Sequence, residues 1–242
     1  MAYLSRIWLN PLRRGAQRFI RSPQALHAAV LGGLSRQPVD ERVLWRLETT
    51  EQRRAELLVL TQSLPAWDHL IEQAGWTTSE EPQFTVRPYD AVLAQVARGR
   101  EFSFRLRANP VSATRQPSKP SPSQLRHLTS STRTRGVRVP HRTVAHQLAW
   151  LTERAPGWGF RFPETEDGKP DVCIVERSRL VFSKSAENGD AVVLQRATFQ
   201  GRVMIDSPDL ARESLLRGVG PARAYGCGLI TLAPPTVLHP EP

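Results

Sequence analysis

AYLSRIWLN (residues 2–10), SPQALHAAVLGGL (22–34), RVLWRLET (42–49), ELLVLTQS (56–63), PAWDHLIEQAG (65–75) and FTVRPYD (84–90) succeed one another in the first part of the chain. The first alternates polar and apolar residues, the period of a half-buried strand. The second carries Ser22 where a helix cap belongs and Pro23 in the first turn, so it predicts a helix. The next two predict strands, the fifth a helix that ends at Gly75, and the sixth a short strand. The order is β-α-β-β-α-β, which is the ferredoxin-like unit, an antiparallel sheet with two helices on one face. REFSFRLRANP (100–110) alternates strongly enough to be one further strand of this half.

The second half repeats the theme less cleanly. RTVAHQLAWLTERA (142–155) predicts an amphipathic helix with Val144, Leu148 and Leu151 on one side and Trp150 adjoining. Residues 172–184 and 191–205 predict a long hairpin around Asn188-Gly189, a pair that favours tight turns. SPDLARESLLRG (207–218) predicts a capped helix stopped by Gly218, and AYGCGLITLAP (224–234) a last strand. The chain is therefore α+β, with two tandem ferredoxin-like domains at 1–109 and 142–242 joined by a linker at 110–141.

The middle of the chain carries the charge. The chain of 242 residues has a formal net charge of +10, and residues 98–142 hold eleven Lys and Arg against one acid, Glu101, so the rest of the chain is balanced. Pro110, Pro117, Pro120 and Pro122 alternate with serines here, a composition that predicts no regular element. Such a block is either a hydrated spacer or a segment that contacts nucleic acid. A hydrophobic fraction of 40 % excludes a low-hydrophobicity disordered chain. No signal-peptide run and no apolar stretch long enough to span a membrane occurs, so the expected location is the cytosol with no membrane partner. Cys173 and Cys227 have no C-x-x-C spacing, which argues against a zinc ribbon or a disulfide framework.

GVGPARAYGCG (218–228) places Gly218, Gly220, Gly226 and Gly228 between a helix and the last strand. It is not a P-loop, since no G-K-[ST] follows, and not a dinucleotide fingerprint, since it does not open a helix. Glycines here serve either a helix stop and tight turn or a close approach of phosphate.

The glycine loop GVGPARAYGCGLITLAP (218–234), the early SPQALH (22–27), RLRANP (105–110) and the AWL helix (149–151) occur in the order found in the CasE family, which this chain resembles over essentially its whole length. These are CRISPR-associated endoribonucleases of type I-E systems. The resemblance implies two ferredoxin-like domains, a metal-independent cut at the 3′ base of the stem-loop in CRISPR repeat RNA, and retention of the product in the Cascade complex. No cofactor and no metal are expected. The alternative with the same fold is a non-catalytic RNA-binding subunit, and an unrelated ferredoxin-like RNA-binding module is the third reading, although no aromatic RNP motif is present.

Metal-free RNA cleavage needs a base for the 2′-hydroxyl, an acid for the leaving 5′-oxygen, and positive charge or oriented amides for the phosphorane. Of six histidines, His27 lies early in the first helix beside apolar Leu26 and Val30, a position equally suited to a boundary residue. The resemblance assigns it the catalytic role. His69, His127, His141, His146 and His239 are read as structural or solvated. Some family members carry a tyrosine three residues earlier, where this chain has Gln24, which cannot titrate. Members can carry basic residues where Ala28 and Gly32 stand here, so charge stabilisation falls to the glycine-loop amides and to Lys184 on the hairpin. For RNA binding, the resemblance implies that the hairpin arm bearing Arg177, Arg179 and Lys184 meets the stem, although such charges equally suit an ordinary strand edge; Arg223 sits in the glycine loop, and Arg105 and Arg107 alternate with Phe104 and Leu106 and so leave the apolar face. Gly218, Gly220, Gly226 and Gly228 complete the predicted RNA contacts.

Overall fold

The structure is a computed structural model that describes residues 1–51, 53–120, 124–125, 128–129, 136–183 and 191–235. The first unit runs β1 (Tyr3–Leu9), α1 (Arg14–Arg21), α2 (Pro23–Leu31), β2 (Leu44–Glu51), β3 (Arg54–Thr61), α3 (Asp68–Ala74), β4 (Phe84–Pro88), with a short turn α4 (Asp90–Leu93) at its end. Its antiparallel sheet has the order β2-β3-β1-β4. Alternation decides which side chains point inward. Ile7 and Leu9 from β1 meet Leu57 and Val59 from β3, Leu26 and Val30 from α2, and Leu70 from α3 in one buried cluster. Burial of each such side chain contributes roughly 1.5–3 kcal/mol.

The second sheet contains β5 (Glu101–Ala108), β8 (Phe160–Arg161), β9 (Val172–Ser183), β10 (Ala191–Ile205) and β11 (Ile230–Ala233), covered by α5 (Val144–Arg154) and α6 (Pro208–Arg217). β11 pairs β5, β5 pairs β10, and β9 and the short β8 share the far edge of β10. Taken as β5-α5-β9-β10-α6-β11, this unit is again β-α-β-β-α-β. The fold is therefore the tandem ferredoxin-like α+β architecture expected.

The boundary between the units is corrected. Strand 101–108, assigned by sequence to the first unit, is the founding strand of the second: Leu106 faces Phe199 of β10 and Ile230 of β11. Nothing local distinguishes the two assignments, because alternation specifies a strand and not its sheet. The expectation that no regular element survives in the Pro/Ser-rich stretch 107–123 is corrected too, since β6 (Val111–Thr114) lies within it and pairs with β7 (Val137–Pro140). Helix α1 occupies residues that the sequence reading left unassigned. The hairpin is present as β9 and β10, and its Asn188-Gly189 turn lies outside the described residues. No helix among the described residues is long and apolar enough to cross a membrane.

Candidate active site

Helix α2 begins where the Ser22 hydroxyl accepts the Ala25 amide at 3.2 Å, a cap that contributes about 1 kcal/mol. The helix buries Pro23, Leu26 and Val30 and turns Gln24 and Ala28 outward, which leaves His27 half-buried on its flank. Trp45 of β2, itself buried, donates its indole N–H to His27 Nδ1 at 3.3 Å. Burial holds the His27 imidazole below its ordinary pKa, because a charged ring there loses solvent.

The glycine loop reaches this helix from the other unit. Its turn Arg223–Tyr225 packs against α2 and β2. Tyr225 in turn meets Phe182, near the end of β9, with ring centroids 4.7 Å apart. Elements distant in sequence thus converge: the helix of His27, the turn of Arg223, and the arm that leads towards Lys184. Lys184 itself lies outside the described residues. Arg223 is half-buried, its Nε has no hydrogen-bond partner among the described residues, and its charge is disfavoured by burial and then by Arg42. It lines a cleft of about 730 Å³ between the units, together with Arg42, Arg217 and the acids Asp40, Glu41 and Glu213.

The loop glycines serve protein packing. Gly226 has φ +76°, and a Cβ there would lie 2.6 Å from Cζ3 of Trp45; Gly218 has φ +71°, and a Cβ would lie 2.6 Å from Leu44 Cδ2. Only glycine lets the loop close over β2 in this conformation. The Gly218, Gly226 and Gly228 amides donate to the carbonyls of Ser214, Arg223 and Arg107. The expectation that these amides face a phosphate is therefore corrected, because their hydrogens are already used. Gly220 is only half-buried, with φ +68°.

Arg105 and Arg107 are corrected in the same way. They do leave the apolar face, but the opposite face that carries them lies against β2. Arg107 donates to the Leu47 carbonyl and pairs with Glu176 at 2.7 Å and Glu48 at 3.5 Å; its side chain is 6 % exposed. Arg105 pairs with Glu48 at 3.0 Å and donates to Gln200 Oε1 at 2.9 Å. Arg46 joins the cluster from β2, paired with Glu48 at 2.5 Å and donating to the Arg105 and Leu229 carbonyls. Burial alone pushes the Glu48 carboxyl up, and the guanidinium groups of Arg46, Arg107 and Arg105 outweigh it and hold the group below the usual carboxylate range. This cluster is the polar seam between the two units.

Arg177 and Arg179 are exposed on β9, and Arg177 donates to the Arg142 carbonyl. Arg14, Arg18 and Arg21, which the sequence reading did not single out, are exposed along one face of α1 beside α2. Their i, i+4, i+7 spacing opposite buried Ala16 and Phe19 was the available signal. Among the remaining histidines, His69 Nε2 bonds to the Ala29 carbonyl at 2.8 Å, and His141 and His146 lie with ring centroids 6.1 Å apart. His127 and His239 fall outside the described residues. Cys173 and Cys227 are unpaired, and burial pushes the Cys227 thiol up to about 11. Among the described residues no three His, Cys, Asp or Glu side chains gather closely enough to hold a metal ion.

A family model described as "CRISPR associated protein" matches residues 2–234. The chain is 32 % identical over 238 residues to the CRISPR-associated endoribonuclease Cse3 of Thermus thermophilus, covering 96 % of this chain and all of that one. It is 31 % identical over 173 residues to the CRISPR system Cascade subunit CasE of Escherichia coli, covering 72 % and 78 % of the two chains. The solved structure of CRISPR endoribonuclease Cse3 bound to a 19-nucleotide RNA superposes with a TM-score of 0.73 at 31 % identity, over 96 % of this chain and 99 % of that one.

Proposed function

Because the chain belongs to the CasE/Cse3 family of CRISPR-associated proteins, we propose that it is the endoribonuclease that cuts CRISPR repeat RNA at the 3′ base of the stem-loop and stays on the product as a Cascade subunit. The observation that carries the chemistry is His27, half-buried on α2 and packed beside the turn that presents Arg223. The 2′-hydroxyl oxygen attacks the adjacent phosphorus, the bond from phosphorus to the 5′-oxygen breaks, and the products are a 2′,3′-cyclic phosphate and a 5′-hydroxyl. His27 moves a proton in this exchange, at the 2′-oxygen or at the leaving oxygen. Arg223, which lines the interdomain cleft and whose Nε has no hydrogen-bond partner among the described residues, supplies charge to the phosphate. Lys184, Arg177 and Arg179 of the hairpin meet the stem. Gln24, exposed three residues before His27, takes no part in proton transfer.

His27→Ala is expected to lower the cleavage rate by about 10²–10⁴ while stem-loop binding stays within a few-fold. The assay is cleavage of the repeat RNA in EDTA, with analysis of the new ends. A folded variant that cuts at the wild-type rate would overturn the role of His27. The second reading, a non-catalytic RNA-binding subunit, is favoured by one observation, the non-titrating Gln24 where some family members carry tyrosine. It requires that the wild-type chain leave the repeat intact under the same conditions.

A further inference from the structure

Trp45 stands between the glycine loop and the His27 ring. Its indole is 2 % exposed, Gly226 closes over it with no room for a Cβ, and its Nε1–H points at His27 Nδ1. An indole N–H only donates, so Nδ1 must be the accepting nitrogen, and the hydrogen of the neutral imidazole is on Nε2. An imidazolium carries N–H on both nitrogens and cannot accept at either. Protonation of this ring therefore occurs at Nδ1 and ends the bond to Trp45.

We propose that Trp45 is a positioning residue that fixes the plane and tautomer of His27 and opposes the charged form of its ring. The proposal rests on the reading of His27 as the proton-transfer group. Other groups on the elements packed around α2 are Arg14, Arg18 and Arg21 of α1, and Arg223 and Tyr225 of the glycine-loop turn. His69 from α3 is occupied at the Ala29 carbonyl. The restraint on His27 comes from burial, not from these charges, and a donor aimed at Nδ1 acts in the same direction. The proton that His27 exchanges in catalysis is thus weighed against a hydrogen bond whose donor is clamped by the other unit through Gly226. Closure of the glycine loop on β2 and the acid–base behaviour of His27 become one mechanical problem.

The test is long-range proton–nitrogen NMR of the uniformly ¹⁵N-labelled full chain, with the His27 signals identified by their absence in His27→Gln. The expected spectrum shows an N–H at Nε2 and an unprotonated, accepting Nδ1. Trp45→Phe keeps an aromatic side chain in the core and removes the donor together with part of the indole. It is expected to raise the His27 pKa by about half to one unit, the worth of one hydrogen bond. The limb of the pH–rate profile that reports His27 should move upward by the same amount. A wild-type ring protonated on Nδ1, or a folded Trp45→Phe variant that titrates like the wild type, overturns the proposal. If Trp45→Phe does not fold, the wild-type tautomer still decides it. Undiminished cleavage by His27→Ala would instead sink the catalytic reading, a failure that leaves these spectra unchanged.

Discussion

Two Arg-x-Arg pairs flank the central strand β10, one on each side, and they have opposite fates. Arg105 and Arg107 of β5 stand opposite Gln200 and Thr198, whereas Arg179 and Arg177 of β9 stand opposite Gln195 and Ala197. The first pair is caught between the units by Glu48 and Glu176. The second is exposed. Both arise from the same alternation of polar and apolar residues, so the pattern alone cannot tell a seam from a ligand surface. What separates them is a carboxylate, Glu48, carried by a strand of the other unit some sixty positions away in sequence. The guanidinium groups of the seam cannot be spared for a phosphate without leaving Glu48 buried and unpaired.

The strongest way to break this contrast is to remove the anion from the seam. Glu48→Gln leaves Arg46, Arg105 and Arg107 crowded without their shared counter-charge and is expected to destabilise the protein by about 3–5 kcal/mol, the usual cost of orphaning a buried ion pair. Urea unfolding measures it. The pH dependence gives an independent check. The folded pKa of Glu48 lies below its ordinary value of 4.5, so its contribution is complete above that value and is lost as pH falls through the lower folded value. Wild type should lose stability in this acidic window, and Glu48→Gln should lose correspondingly less. Parallel acid profiles for the two proteins would show that the seam is not electrostatic.

A smaller effect compares the two pairs directly. Arg107→Ala takes a buried guanidinium from two carboxylates and the Leu47 carbonyl, and its expected cost is about 3 kcal/mol. Arg179→Ala, on the exposed strand, should stay within about 0.5 kcal/mol. Equal losses in thermal unfolding would erase the distinction between seam and surface.

How much of this was legible beforehand differs between fold and site. The β-α-β-β-α-β order, the Ser22 cap and the hairpin are local features, and local patterns were enough for them. The sheet membership of 101–108 was not, because both units offer an edge to an alternating strand and only Phe199 and Ile230, far along the chain, decide between them. His27 could be proposed from the sequence because its helix is local and the resemblance assigns the histidine of QALH a catalytic role. Trp45, its hydrogen-bond partner, could not, since β2 meets α2 only after folding. The loop glycines were visible as glycines, but the reason for them, Trp45 and Leu44 beneath, is a contact between units.

The smallest expected effect concerns salt, and it sharpens the comparison on the ligand side. Each phosphate neutralised by an arginine releases counterions, so binding weakens with a log–log slope of about 0.7–0.9 per contact. If Arg177 and Arg179 both track a backbone, replacing the two by Gln should flatten the slope by about 1.4–1.8. Arg105→Gln should leave it unchanged, because that guanidinium is already committed to Glu48 and Gln200. The hairpin is proposed to meet the duplex, so the double variant should lose more slope on a stem-loop than on a single strand of equal length. Filter binding across a salt series reads each slope. Equal losses on the two ligands would make β9 a generic basic edge, and a flattened slope in Arg105→Gln would mean that the seam opens when RNA binds.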